Sequence, residues 1–127
     1  MKKLLVTILF SVFSIIAFSQ QTIWFETTQA HIGTKAQNET EYTWSQATYP
    51  KIKIAVETTR IIVYAEHTYI INIEGMFYES TYSTTFYGKD DEGVRCHVEL
   101  GYSNEANQSY FIVKYSDIAF FYYAVPK

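Results

Sequence analysis

The fold is decided by the segment Lys51–Gly75, which reads KIKIAVETTRIIVYAEHTYIINIEG. Apolar and polar side chains alternate over its first seven residues, with three apolar residues on one face: Ile52, Ile54 and Val56. Alternation with a period of two predicts a strand that buries one face. Two more apolar runs follow the short links Thr58–Thr59 and His67–Thr68. The segment therefore predicts a meander of three antiparallel strands.

The same pattern continues toward the C-terminus. Val94–Leu100 alternates strictly, which predicts one face directed to the core (Val94, Cys96, Val98 and Leu100) and one directed to solvent (Arg95, His97 and Glu99). The GKDDEG sequence at Gly88–Gly93 predicts a turn before this strand. Four other strands are predicted at Thr22–Thr28, Tyr82–Tyr87, Tyr110–Tyr115 and Ile118–Val125.

The composition after residue 19 predicts an all-β domain. It contains 11 Ile, 6 Val, 13 Thr and 20 aromatic residues, but Leu100 is the only leucine. β-branched and aromatic side chains suit a pleated sheet, whereas a helical core would draw on Leu, Ala and Met. Seven to eight short strands joined by polar turns predict a small antiparallel barrel or sandwich, and we favour the barrel.

Residues 1–19 have the pattern of a secretory signal peptide. Lys2 and Lys3 precede an apolar run from Leu4 to Phe18, and Ala17 and Ser19 fit the small residues of a cleavage site. We therefore expect residues 20–127 to form a single β domain that is exported, either periplasmic or secreted. We expect no stable membrane span after processing, because no second apolar stretch of membrane length follows.

The Lys-Lys start, the Phe- and Ile-rich run and the ending AFSQ resemble the signal peptides of Bacteroidota. The Ile- and Tyr-rich strands that follow resemble small secreted all-β proteins of unknown function from that group. The resemblance implies export and an all-β fold, and it brings no functional residues with it.

The charge of the chain disfavours nucleic acid as a partner. The 127 residues have a formal net charge of −3, and removal of residues 1–19 takes away Lys2 and Lys3 and no acidic residue, which leaves −5. An acidic surface repels phosphate backbones. We also expect no metal and no cofactor, because the histidines (His31, His67 and His97) are far apart in sequence and only one cysteine is present.

No motif predicts catalysis, so we expect a protein that is not an enzyme. Asp90–Glu92 suits either a hairpin turn or a calcium site, and the adjacent acids do not follow a calcium-loop spacing. Cys96 is expected to face the core, with an intermolecular disulfide or a reactive thiol as alternatives. The row of Arg95, His97 and Glu99 suits either an anionic ligand or an ordinary solvated strand face.

The aromatic excess is the main functional signal. The chain contains 12 Tyr, and each hydroxyl requires water or a hydrogen-bond partner, so some of these rings are expected at the surface. They either line the edge of a small core or form an interface. The best candidate contact surface is Met76–Tyr87, and we predict a binding surface made of six residues: Tyr78, Tyr82, Phe86, Tyr87, Arg95 and His97.

These observations favour a non-catalytic exported domain that binds another protein or a glycan through an aromatic-rich surface. The alternative is a small barrel that carries an apolar small molecule in its interior. A homodimer is also considered, because the C-terminal strand Ile118–Val125 is apolar on both faces and a second copy would cover one of them.

Overall fold

The computed structural model describes residues 22–127, which form nine β-strands and no helix. The signal peptide predicted at residues 1–19 lies outside the described residues. In chain order the strands are β1 (Ile23–Thr34), β2 (Thr43–Trp44), β3 (Lys53–Val56), β4 (Arg60–Tyr64), β5 (Thr68–Glu79), β6 (Ser83–Asp90), β7 (Arg95–Ser103), β8 (Gln108–Lys114) and β9 (Ile118–Pro126). Over this part of the chain there is no helix with the length and apolar character needed to cross a membrane.

The strands form a closed antiparallel barrel. Each strand from β3 to β8 pairs with the next one along the chain, and β1 pairs with both β3 and β9. Eight strands therefore close the barrel, and β2 is an extra strand beside the far end of β1. The predicted all-β class and the antiparallel barrel are confirmed, with one strand more than expected.

Strand β1 is longer than the predicted Thr22–Thr28 because it has partners on both edges. One edge pairs with β9 from Phe25 to Thr34. The other edge pairs first with β3 and then, at Gly33 and Thr34, with β2. A register shift between Thr27 and Gln29 marks a bulge that lets the strand bend around the barrel. Backbone pairing on two sides holds this segment extended although its sequence is largely polar.

The barrel interior is filled by side chains. Alternation in β7 is as predicted for most of the strand: Cys96, Val98 and Leu100 are buried, and Arg95, His97 and Glu99 face outward. The buried core comes from seven of the eight barrel strands and includes Phe25, Ile54, Val56, Ile61, Val63, Ile71, Phe111, Val113, Tyr122 and Ala124. The remaining strand, β6, contributes Phe86, which is partly buried and packs against this core. A void of about 10 Å³ lies between Tyr69, Tyr115 and Tyr122.

The prediction for Val94 was wrong. Gly88, Lys89 and Asp90 belong to β6, so the turn begins later than the GKDDEG sequence indicated, and Val94 lies in it with 47% of its surface exposed. Asp90 Oδ1 accepts hydrogen bonds from the backbone N–H of Glu92 (3.0 Å) and Val94 (2.8 Å). Gly93 has φ +83°, which glycine adopts without strain. The turn backbone therefore takes Val94 out of the alternating strand.

The C-terminal strand β9 has both edges occupied, by β1 and β8. Phe120, Tyr122 and Ala124 lie on the inner face, and Ala119, Phe121 and Tyr123 lie on the outer face, because their register partners in β1 and β8 face the same way. A second copy would therefore meet only the outer side chains of β9. Homodimerisation through this strand stays a prediction.

Val94 and Val98 belong to the same predicted alternation, but the structure exposes the first and buries the second, which gives a direct test of the fold. We expect Val98→Ala to lower the free energy of unfolding by about 2 kcal/mol, because it removes two fully buried methyl groups. We expect Val94→Ala to change it by less than about 0.5 kcal/mol, because that side chain lies in an exposed turn. Urea unfolding of both variants measures the difference, and equal losses would contradict the placement of Val94.

Asp90 gives a pH-dependent test. Burial tends to raise the pKa of its carboxyl group, but hydrogen bonds from Val94, Tyr115 and Glu92 outweigh it, and the net pKa is lowered. A lowered pKa stabilises the folded state above the ordinary carboxyl range, and this contribution is lost as the pH falls through the folded pKa. We expect Asp90→Ala to lower the urea midpoint of unfolding at pH 7. The difference in midpoint between the variant and wild type should be smaller at strongly acidic pH. Asp91→Ala serves as the control, and a difference independent of pH would contradict the expectation.

Candidate functional site

Outward-facing aromatic side chains lie on the outer face of the barrel, across β6 to β9 and the far half of β1; Trp44 and Tyr87 are exposed, and Tyr110, Phe121 and Tyr123 are half-buried. The strand register creates this surface. One row of directly paired residues runs across six strands in the order Tyr87, His97, Lys114, Ala119, Gly33 and Trp44. Directly opposed side chains in antiparallel strands are close enough to touch. The row therefore joins residues that are up to 86 positions apart in sequence, Gly33 and Ala119, into one surface.

Small residues make a depression in the middle of this row. Ala119 and Gly33 lie side by side in β9 and β1. The Trp44 ring fills the space over Gly33, since a Cβ built on Gly33 would lie 2.8 Å from the ring and 3.0 Å from the Tyr42 Cβ. Real Cβ contacts are not this short. Glycine is therefore required at position 33 for Trp44 to lie against the sheet.

Phe121 is the centre of an aromatic cluster beside this depression. Its ring stacks on Tyr110 with centroids 5.7 Å apart and an interplanar angle of 14°. Three other rings meet it edge-on, at centroid distances of 4.8 Å for Tyr123, 5.8 Å for Trp44 and 6.1 Å for His31. Stacked and edge-on geometries are the favoured ones for aromatic pairs. The cluster is thus a preorganised platform.

Tyr110 is held in place by a glycine and a carboxylate. Its ring lies over Gly101, where a Cβ would come within 2.6 Å of it. Its hydroxyl donates a hydrogen bond to Glu99, whose other carboxylate oxygen lies 3.0 Å from Lys114 Nζ. Burial, followed by the hydrogen bond and the negative charge of Glu99, raises the pKa of Tyr110 well above its usual value. The phenol therefore remains a neutral donor that positions the ring.

Two open hollows flank Tyr42 and Lys114, which line both of them. The first, of about 720 Å³, is lined by four members of the aromatic cluster and by Thr40, Glu41 and Ile112; the four are His31, Trp44, Phe121 and Tyr123. The second, of about 790 Å³, is lined mainly by charged and aromatic side chains: Lys35, Glu74, Tyr87, Arg95, His97 and Tyr115. We refer to the two hollows together as the outer groove.

The loop between β1 and β2 contributes to both hollows: Thr40 and Glu41 line the first, Lys35 lines the second, and Tyr42 lines both. The Lys35 backbone N–H donates a hydrogen bond to the Asp117 carbonyl (3.0 Å), and the Tyr42 hydroxyl donates one to the Tyr115 carbonyl. The Lys35 ammonium lies 4.8 Å from the centre of the Tyr42 ring, a cation–π distance. The two hydrogen bonds tie the loop to the β8–β9 turn, and the cation–π contact joins the two ends of the loop.

The six predicted binding residues do not form one surface. Tyr87 and His97 contact each other with ring centroids 5.4 Å apart, and Arg95 lines the same hollow. Tyr78 is exposed on β5, outside the groove. Tyr82 is half-buried in the β5–β6 turn, where its carbonyl accepts a hydrogen bond from Tyr102. Phe86 packs against the hydrophobic core, so we leave it out of the site.

Sequence reasoning missed most of the aromatic cluster. Trp44, Tyr110, Phe121 and Tyr123 come from three strands, and His31 comes from a fourth. The available signal was the C-terminal strand, whose outer face is as aromatic as its inner face. Phe77 was also missed as a single residue, although its ring stacks on His97 with centroids 5.0 Å apart and an interplanar angle of 10°.

Cys96 and the acidic residues were the sequence candidates for a reactive thiol and a calcium site. Cys96 is buried, and burial together with the charge of Asp90 raises the pKa of its thiol to about 11, which keeps it protonated at neutral pH. Within residues 22–127 no group of three or more His, Cys, Asp or Glu side chains is arranged to hold a metal ion.

Comparison with known proteins gives no relative. No protein-family model, no curated protein and no solved structure matches the chain.

Two glycines test how the groove is built. We expect Gly33→Ala to lower the free energy of unfolding by about 1–3 kcal/mol and to shift the emission of Trp44, because the added methyl overlaps the Trp44 ring. Gly75→Ala is the matched control, since a Cβ there meets nothing within 4 Å. Both changes are made in a Trp24→Phe background, so that Trp44 alone emits. An unchanged emission spectrum for Gly33→Ala would contradict the packing of the Trp44 ring against Gly33.

Proposed function

We propose that this protein is an exported, non-catalytic binding domain that recognises a glycan through the outer groove. The observation that carries the proposal is the preorganised aromatic cluster around Phe121, which opens into a hollow with polar side chains at its walls. Export rests on the sequence pattern of residues 1–19.

The aromatic rings supply surfaces suited to sugar rings. The face of an aromatic ring carries partial negative charge, and the C–H groups on one face of a pyranose carry partial positive charge, so the two surfaces attract. Trp44 presents 41% of its surface to solvent at the edge of the depression. A sugar ring stacked on the exposed part of Trp44 would lie at the hollow that Phe121 and Tyr123 also line.

The walls of the groove supply hydrogen-bonding groups. Thr40, Glu41 and Lys114 line the hollow beside the rings, and Lys35 and Arg95 line the adjoining one. Hydroxyl groups of a glycan both donate and accept hydrogen bonds, so carboxylate, hydroxyl and ammonium partners are all useful. Because the two hollows adjoin at Tyr42 and Lys114, the groove suits a chain of several sugar units.

The packed interior favours the outer surface over the alternative of an apolar ligand inside the barrel. The void between Tyr69, Tyr115 and Tyr122 is about 10 Å³, which is far smaller than the several hundred Å³ of a typical ligand pocket. A non-catalytic role is supported by the pairing of Glu99 with Tyr110 and Lys114, which uses the carboxylate to position side chains.

The two tryptophans allow a sharp test. Trp44 lies in the groove, whereas Trp24 is on another part of the barrel, stacked on Tyr64, with similar exposure (39%). We expect a panel of neutral and acidic soluble oligosaccharides to contain members that change the emission of Trp44 in Trp24→Phe protein. We expect Trp44→Ala to weaken their binding by about 3- to 10-fold, as for loss of one aromatic contact.

Isothermal titration calorimetry measures the same affinities without a fluorescent residue. Trp24→Ala is the matched control and should bind as wild type does. If no oligosaccharide changes the Trp44 emission, or if both alanine variants lose binding equally, the proposal is wrong. Binding of a protein rather than a glycan at Trp44 would also overturn it.

A further inference from the structure

Strand β5 has an edge without a partner. It pairs with β4 only as far as Asn72, and one further hydrogen bond joins the Ile73 N–H to the Thr59 carbonyl (2.8 Å). From Glu74 to Glu79 the strand pairs with β6 on one side. On the other side no strand from residues 22–127 pairs with it. A row of backbone N–H and C=O groups is therefore available there.

This open edge carries the most exposed apolar run of the barrel strands. Met76, Phe77 and Tyr78 are consecutive, and 57%, 53% and 60% of their surfaces are exposed. Soluble proteins seldom expose three consecutive large apolar side chains on a strand unless the surface has a function. The register of β5 against β6 shifts between Ile73 and Gly75 and again between Met76 and Tyr78. Such bulges redirect side chains, and here they coincide with the exposed run.

Charge selects the kind of partner. Glu74 and Glu79 stand at the two ends of the edge, both are exposed, and neither forms an ion pair with another residue of the described chain. An antiparallel second copy would bring Glu74 of one chain close to Glu79 of the other, and like charges across a sheet are unfavourable. A strand with lysine or arginine at its ends would meet opposite charges instead.

We propose that the edge Glu74–Glu79 of β5 is a docking site for an extended, basic segment of a partner protein, which adds a strand to the sheet. In strand addition, backbone hydrogen bonds provide affinity and side chains provide specificity. Apolar side chains of the incoming strand pack on Met76 and Tyr78, and its basic ends pair with the two glutamates. This site is separate from the Phe121 cluster and rests on different observations, and its overlap with the outer groove is Glu74, which also lines the second hollow.

The probe is a synthetic peptide of alternating valine and threonine with lysines at both ends. Two matched peptides accompany it: one has glutamates at the ends, and the other has methyl groups on alternate backbone nitrogens, which removes hydrogen-bond donors. We expect the lysine peptide to slow hydrogen exchange of amides between Glu74 and Glu79. We expect it to bind at least about tenfold more tightly than either matched peptide.

Two double variants test the charge requirement, with circular dichroism to check folding. Glu74→Lys with Glu79→Lys should weaken binding of the lysine peptide at least about tenfold. Glu66→Lys with Glu105→Lys makes the same charge change at exposed positions elsewhere, and should change it less than about twofold because salt screens distant charges.

Four outcomes would overturn the proposal. If the methylated peptide binds as tightly as the lysine peptide, strand addition is excluded. If the glutamate peptide binds as tightly as the lysine peptide, a requirement for basic residues in the partner is excluded. Absence of binding by the lysine peptide would exclude both. The fourth outcome is that amides between Glu74 and Glu79 are protected from hydrogen exchange before any peptide is added. The edge would then already be occupied. The occupant would be another segment of the same chain if the protein is monomeric, or a second copy if it is dimeric.

Discussion

The rest of the structure depends on the pairing of β1 with β9. This pairing joins the two ends of the domain over Phe25–Thr34 and closes the barrel. Closure satisfies the backbone groups of both strands, which in an open sheet would be exposed edges. It also places Gly33 beside Ala119 and His31 beside Phe121, so the outer groove exists only when the barrel is closed. The stability of the fold and the shape of the candidate site therefore both depend on the pairing of β1 with β9.

Side-chain volume divides the aromatic residues between the inside and the outside. Eight short strands enclose a narrow interior, which the β-branched residues and a few rings such as Phe25 and Phe111 already fill. The remaining rings must lie outside, where they pack against one another and against small residues. Gly33 and Gly101 provide those small positions, because each admits an aromatic ring directly against the backbone. The outer platform is thus the consequence of a filled core.

The two proposed surfaces use different parts of the backbone. In the outer groove all neighbouring strands are paired, so recognition is left to the rings and polar ends of side chains. At the β5 edge the backbone itself is available. The pairing of β4 with β5 stops at Asn72, and Glu74–Glu79 of β5 extends beyond it. Phe77 connects the two surfaces, since it stacks on His97 at the wall of the second hollow. A partner strand on β5 would therefore lie beside the groove without covering the Phe121 cluster.

The sequence by itself determined the all-β class, the antiparallel connections and the inward face of Cys96, Val98 and Leu100, because alternation and β-branched composition act locally. Only the tertiary structure decided the site. Tyr110, Phe121 and Trp44 meet through the registers of four strands, and no local pattern encodes a register between distant strands. Val94 illustrates the limit, since its alternation predicted burial but the side-chain hydrogen bonds of Asp90 placed it in a turn.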